Sequence, residues 1–199
     1  MPTDPAFPPP PPRPMLRSER IYLRPAERSD IPRFVAWLSD ADVMRNLALR
    51  SPISTVHEEG WFERMLEAQG RTGYHFVICL VEDGTPIGTT GFQDLDWENG
   101  SASFGIIIGE KDRWGMGYAT EALDVMCDFG FGELRMERIW LHVYSDNTRG
   151  QRAYEKSGFV REGTLRRARF QRGRAEDIEV MSQLRGEWEA LDRRRSWDY

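Results

Sequence analysis

The sequence predicts a mixed α/β (α+β) domain on one mostly antiparallel sheet of six to seven strands, and three features predict it. Residues 76–108 show strand-type patterning broken at two tight-turn dipeptides, Asp83-Gly84 and Asn99-Gly100, which makes a three-stranded antiparallel meander. Residues 101–143 then read strand, glycine turn, helix, strand; a helical crossover returns the second strand parallel and right-handed beside the last meander strand. Residues 159–184 fold back across Arg172-Gly173 as a closing hairpin.

Taken in order, residues 1–14 are a proline-rich tail, with Pro8 to Pro12 consecutive, a composition that favours extended polyproline II and cannot donate ladder hydrogen bonds. Residues 15–188 form one domain and residues 189–199 a polar C-terminal tail; the chain from Gly186, with Arg193-Arg194-Arg195, reads as solvated. Residues 16–24 read as one half-buried strand, ended by Pro25. Ser29 or Asp30 caps a helix to about Leu38, with Pro32 in its first turn. Thr55 and Glu58 have capping-box spacing ahead of the apolar stripe Trp61, Met65 and Leu66. After the meander, Ala119, Ala122, Leu123, Met126 and Phe129 recur at helical spacing from Gly117 to about Phe131. A further helix runs from Asn147 to Ser157, where Gly158 suits the left-handed residue past a helix end and Phe159 the apolar contact beyond it.

The net charge of −5 argues against a nucleic-acid partner, whose binding rests on a basic surface, and points to small-molecule chemistry. Cys79 and Cys127 sit in apolar surroundings and read as reduced core thiols. With no long apolar run and no basic-then-apolar leader, the chain reads as cytoplasmic, with no membrane partner. His57, His75 and His142 have no metal-ligand spacing with those cysteines, so no metal is expected. Arg161, Arg166, Arg167, Arg169, Arg172 and Arg174 on the last hairpin read as its solvent face.

The chemistry centres on residues 112–123. The apolar residues 104–108 lead into Arg113, Trp114, Gly115, Met116, Gly117, Tyr118, Ala119 and Thr120, a glycine turn that opens a helix. A helix start presents unpaired N–H groups and the positive end of the helix dipole, and glycines let phosphate approach that backbone. The spacing is neither a P-loop nor a dinucleotide fingerprint, because Thr120 stands where the latter has a small third residue. Asn147 and Tyr154 stand seven residues apart, nearly two helical turns, and so leave one helix face. Singly, Asn147 is a helix cap and Tyr154 a packing residue. Their helix follows the strand parallel to the one feeding the glycine turn, so turn, Asn147 and Tyr154 converge.

In Phe104-Gly105-Ile106-Ile107-Ile108, in residues 114–122, in Asn147, in Tyr154-Glu155-Lys156-Ser157-Gly158-Phe159 and in Glu179-Val180-Met181, the chain resembles the GNAT superfamily of acetyl-CoA-dependent N-acetyltransferases. It is most similar to the RimJ/RimL-like branch of ribosomal-protein N-terminal and polyamine acetyltransferases. The resemblance spans about residues 16–188. It implies the GNAT fold, with helices on both sheet faces and a central splay between the fourth and fifth strands. It implies acetyl-CoA as cofactor, its diphosphate on backbone N–H groups of residues 114–119 with Arg113 and Thr120 alongside. The pantetheine arm would lie beside Ile106, Ile107 and Ile108 with Asn147 bonding it, Tyr154 at the thioester sulfur, and Ile106 or Ile107 N–H at the oxyanion. A homodimer is usual for such proteins.

In that reaction a neutral amine attacks the thioester directly, in a ternary complex, and the departing thiolate benefits from a proton donor, which Tyr154 fits. Relatives often carry a Glu near Ser103; here the residue is Ser, so the base is open among Glu98, Asp94 and His142 acting through water, with His142 also readable as an ordinary strand histidine. An α-amine, with pKa about 7.7–8.0, needs less help from a base than a lysine-type amine near about 10.4. The acceptor is therefore a protein N-terminal amine or a small amine such as a polyamine or aminoglycoside. Trp61 and Phe62 line its pocket or pack the core. The alternative function is a non-catalytic module that binds acyl-CoA as a regulatory ligand.

Overall fold

The computed structural model describes residues 13–199, so the proline run lies outside the described residues. The strands are β1 (Leu16–Arg17), β2 (Ile21–Arg24), β3 (Tyr74–Leu80), β4 (Pro86–Asp96), β5 (Ser101–Ile108), β6 (Arg138–Tyr144), β7 (Val160–Gln171) and β8 (Arg174–Leu184). They form one eight-stranded sheet in the order β1-β2-β3-β4-β5-β6-β8-β7, antiparallel except where β6 runs parallel to β5. The strand beyond the expected six to seven comes from residues 16–24, which form a hairpin with Leu16 opposite Leu23. Ser18 makes that turn: its N–H donates to the Ile21 carbonyl at 2.9 Å, and its Oγ accepts from the Ile21 N–H at 3.3 Å. A serine that satisfies the backbone locally bends a chain that alternation alone reads as straight.

The helices are α1 (Ile31–Trp37), α2 (Ala41–Met44), α3 (Thr55–Ala68), α4 (Tyr118–Cys127), α5 (Thr148–Lys156) and α6 (Arg185–Glu189). The short α2, without a periodic stripe to announce it, is capped by Asp40, which accepts from the N–H groups of Asp42 and Val43. The cap of α3 is Ser54 rather than Thr55: Ser54 Oγ accepts from His57 N–H at 3.2 Å, so no capping box forms and Glu58 turns inward. Alternation along β3 feeds two cores. Ile78 and Leu80 pack with Leu123 and Met126 of α4, while Val77 and Cys79 pack with Phe34 and Trp37 of α1 and Phe62 and Met65 of α3. Helices therefore cover both faces, and Phe62 is core.

Both turns of the meander take left-handed glycines, Gly84 and Gly100, and the last hairpin turns on Arg172 and Gly173 with φ of 50° and 78°. Cys79 and Cys127 are buried and unbonded to each other. Among the hairpin arginines Arg169 is not on the solvent face: it is buried, its guanidinium 3.5 Å from the centre of the Tyr144 ring. The residues expected to be a solvated tail also pack. Trp188 is buried, and Arg193 and Ser196 reach back to Asp128, in the π-helical turn Asp128–Glu133 that continues α4. Among the described residues no helix is long and apolar enough to cross a membrane, and no cluster of His, Cys, Asp or Glu is arranged to hold a metal.

The sheet opens at its centre. β5 pairs with β6 only at Ser101, Ala102 and Ser103, opposite Arg138, Ile139 and Trp140. Beyond them β5 stays with β4 as far as Ile108, and β6 stays with β8 as far as Tyr144. The gap falls between the fourth and fifth strands of the sequence-based count, now β5 and β6.

Candidate active site

Each wall of that gap has its backbone directions set by strand parity. Gly109 N–H donates to Ile87 of β4 at 2.9 Å, and Gly105 C=O accepts from Thr90 Oγ1 of β4 at 3.0 Å. Alternation then turns the peptide groups of Gly105 and Ile107 towards β4 and those of Phe104, Ile106 and Ile108 towards the gap. Ile108 C=O fits this parity, since it accepts from Trp114 Nε1 at 2.7 Å. Of the two backbone donors anticipated for an oxyanion, Ile106 N–H faces the gap and Ile107 N–H does not.

The Trp114 bond ties the glycine turn to the end of β5. Gly115 and Gly117 have φ of 78° and 89°, a region that side chains with a Cβ rarely adopt. Gly117 is the N-cap residue of α4 and supplies no capping side chain. The first bond into the helix runs from Glu121 N–H to Gly117 C=O, so the N–H groups of Tyr118, Ala119 and Thr120 lack intrahelical partners. Arg20 holds the turn from outside. It donates to Met116 C=O at 3.0 Å, pairs with Glu121, and lies 4.5 Å from the centre of the Tyr118 ring. No local sequence signal marks Arg20, because its partners lie about a hundred residues away. Arg113 pairs with its neighbour Asp112 at 3.4 Å. Arg149, also unforeseen, lies 4.2 Å from the centre of the Trp114 ring and joins α5 to the turn.

Asn147 caps α5, its Oδ1 accepting from Gly150 N–H at 3.0 Å, which leaves the Nδ2 amide for other partners. A Cβ at Gly150 would come within 2.6 Å of that Nδ2, so the cap needs the glycine. Gly158, at φ 89°, ends the helix, and Phe159 N–H returns to Tyr154 C=O at 3.0 Å. Tyr154 is half-buried between Phe104 and Phe159, ring centres 6.4 and 6.2 Å away. Among the described residues its hydroxyl has no hydrogen-bond partner, and burial pushes the phenol up to about 12.

One cavity of about 1020 Å³ collects these groups. It is lined by Tyr154, Asn147, Ile106, Ile107, Ile108, Arg113, Trp114, Gly115, Gly117, Tyr118, Ala119 and Thr120. Met116 does not line it; its side chain is exposed. Of the three bases considered, Asp94 and His142 line the cavity and Glu98 does not. His142 is exposed and packs against Trp140, ring centres 5.1 Å apart. Trp61 lines the cavity as well, on the α3 side.

The Acetyltransferase (GNAT) domain family matches residues 20–160. The uncharacterized N-acetyltransferase p20 of Bacillus licheniformis is 31% identical over 175 residues, covering 87% of this chain and 97% of that protein. A spermidine N(1)-acetyltransferase of Vibrio cholerae is 27% identical over 174 residues, covering 86% and 96%. A crystal structure of spermidine N-acetyltransferase from Vibrio cholerae in complex with CoA and spermine superposes with a TM-score of 0.79 at 25% identity, covering 86% of this chain and 99% of that one.

Proposed function

The chain belongs to the GNAT acetyltransferase family, acetyl-CoA-dependent enzymes that acetylate amines, and from that premise we propose direct transfer to a small primary amine within a ternary complex, with Tyr154 as proton donor. One observation carries the reading: an unpartnered phenol and a gap-facing Ile106 N–H line the same cavity as an uncapped helix start. The cofactor fits the groups present. Tyr118, Ala119 and Thr120 N–H suit a diphosphate, with Arg113 and Arg149 adding charge, while the open edge of β5 and Asn147 Nδ2 suit the amides of the arm. When bound, the cofactor supplies the activated acetyl group. Ile106 N–H would donate to an oxyanion at the acetyl carbonyl, and the Tyr154 hydroxyl would give its proton to the leaving sulfur, the proton shed by the acylated amine passing through solvent to restore the phenol. A phenol near 12 is a weak acid in water, but burial penalises a thiolate for the same reason, as it does at Cys79, pushed up to about 11.

Tyr154→Phe tests this. Thiol release from acetyl-CoA is expected to fall by about 10²- to 10⁴-fold in kcat. CoA affinity, measured by calorimetry, is expected to stay within about twofold, since the ring and its packing remain. Unchanged kcat removes the phenol from the chemistry. The pH profile gives a second check. Held near 12, the phenol stays protonated through pH 10, so kcat/KM climbs as the amine deprotonates and shows no phenolic fall below about pH 11. A protein N-terminal amine is the second acceptor reading, favoured by Ser103, which lines the cavity where a carboxylate base would stand. Rates on a dipeptide α-amine against spermidine separate the two.

A further inference from the structure

One buried charge in the cavity plays no part in that chemistry. Glu58, on α3, is 3% exposed and lines the cavity, and no residue among those described bonds or pairs with its carboxylate. Burial raises its pKa, opposed by neighbouring His57. Isolated buried carboxylates are costly and are normally paired. The arginines and lysine that line the cavity, Arg113, Arg149, Arg152 and Lys156, come from the glycine turn and α5, and none forms an ion pair with it; His57, which also lines the cavity, is its nearest basic neighbour. Beside Glu58, one helical turn on, Trp61 stands edge-on to His75, ring centres 5.6 Å apart, and burial lowers the pKa of His75 and so favours its neutral form. A carboxylate and an indole face with no protein cation between them form a receptor for a positive group.

We propose that Glu58 is the residue that recognises the acceptor, its carboxylate holding a second ammonium of an aliphatic oligoamine whose reacting amine lies at the β5–β6 gap. The inference rests on the acetyl-transfer reading and adds the substrate class. Distance favours this over a role as base. α3 packs on β3, and β4 lies between β3 and β5. Two strand spacings put Glu58 on the order of 10 Å from the gap. An aliphatic di- or triamine bridges such a separation; a direct proton transfer does not.

Glu58→Gln keeps the shape and removes the charge. With spermidine as acceptor, KM is expected to rise at least about tenfold, the loss of a charge-assisted contact, while KM for acetyl-CoA stays within about twofold. For a monoamine with a neutral tail the variant and the wild type are expected to match. Thermal melting should hold or rise, because an uncompensated buried charge has been removed; should this variant fail to fold, Glu58→Asp, which retracts the carboxylate by one methylene, is expected to raise the same KM. An unchanged spermidine KM overturns the inference, as does an equal fall in kcat for every amine, which is the mark of a base. Wild-type protein that binds CoA but shows no preference for a second ammonium also overturns it, leaving the acetyl-transfer reading intact. Wild-type protein without a CoA-induced thermal shift rejects that reading and this inference together.

Discussion

The two ends of α4 are finished in opposite ways. At its start Gly117 offers no capping side chain, and three N–H groups are left without helical partners. At its far end Asp128, 1% exposed, accepts from Trp188 Nε1 at 2.9 Å, from Arg193 Nη2 at 2.7 Å and Nη1 at 3.0 Å, and from Ser196 N–H at 2.7 Å. The dipole favours an anion at the first end; at the second, which runs on into the π-helical turn, Arg193 and Arg195 offset the Asp128 carboxylate, and Arg193 also donates to Asp124 C=O at 3.2 Å. The difference teaches how a backbone site is kept ready. Donors can stay unsatisfied at one end because the other end is anchored by chain that wraps around from the C-terminus, so the phosphate proposed to bind there would require little reordering.

The largest expected effect tests the anchored end. Asp128→Ala leaves Trp188 Nε1 and the Arg193 guanidinium without their buried acceptor, a change of about 3–5 kcal/mol in stability. Urea melts should show it as a lower midpoint with an unchanged slope. CoA affinity, read by calorimetry at a temperature where the variant is folded, is expected to stay within about twofold. A collapse of CoA affinity in folded protein would mean that the ends are not separable, and the comparison would break.

The same contrast explains what the sequence made legible. The open end is built from backbone, and backbone demands leave local marks: Gly115 and Gly117 for their positive φ, Asn147 for a cap, Gly158 for a stop. The gap in the sheet leaves no such local mark and is expected only through the resemblance to the GNAT superfamily. The anchored end is built on one side chain, Asp128, that collects donors 60 to 68 residues away, and an arginine-rich terminus reads as solvated unless its buried partner is known. The α3 side of the cavity fares likewise. Glu58 has capping-box spacing with Thr55, yet Ser54 takes the cap and the carboxylate turns inward, which no local pattern distinguishes. The hairpin at residues 16–24 leaves no local mark for a related reason, since one serine hydroxyl decides it.

A middle-sized effect is expected at the open end. Gly117→Val forces a β-branched residue to φ 89°, with about 1–3 kcal/mol of strain. The chain relieves that strain by shifting the turn, so the loss should appear in CoA affinity, about 5- to 100-fold, more than in the melting temperature. Gly115→Ala is the control: a Cβ there meets nothing within 4 Å, so strain acts without crowding and the loss should be smaller. Equal effects of the two would show that the turn, and not the helix start, sets the geometry.

The smallest effect is expected at Arg20, the side chain that reaches the open end from β1–β2. Its bonds to Met116 C=O and Glu121 and its place over the Tyr118 ring fix the turn on the side away from the cavity. The side chain is 44% exposed, so solvent screens the pair and its worth is at most about 1 kcal/mol. Arg20→Ala should therefore weaken CoA binding no more than about fivefold and barely move the melting temperature. Two causes are available for even that small loss. Without Arg20 the Glu121 carboxylate, in the first turn of α4, faces an incoming phosphate with only Ser18 to hold it, and the turn itself loses a strut. Salt tells them apart. Repulsion by Glu121 fades as ionic strength rises, whereas a loosened turn is indifferent to it. If the deficit vanishes at high salt, and Arg20→Ala combined with Glu121→Gln restores affinity at low salt, then Arg20 serves to mask a charge at an anion site. If the deficit persists in both, the open end depends on a side-chain strut after all, and the contrast with Asp128 becomes one of degree.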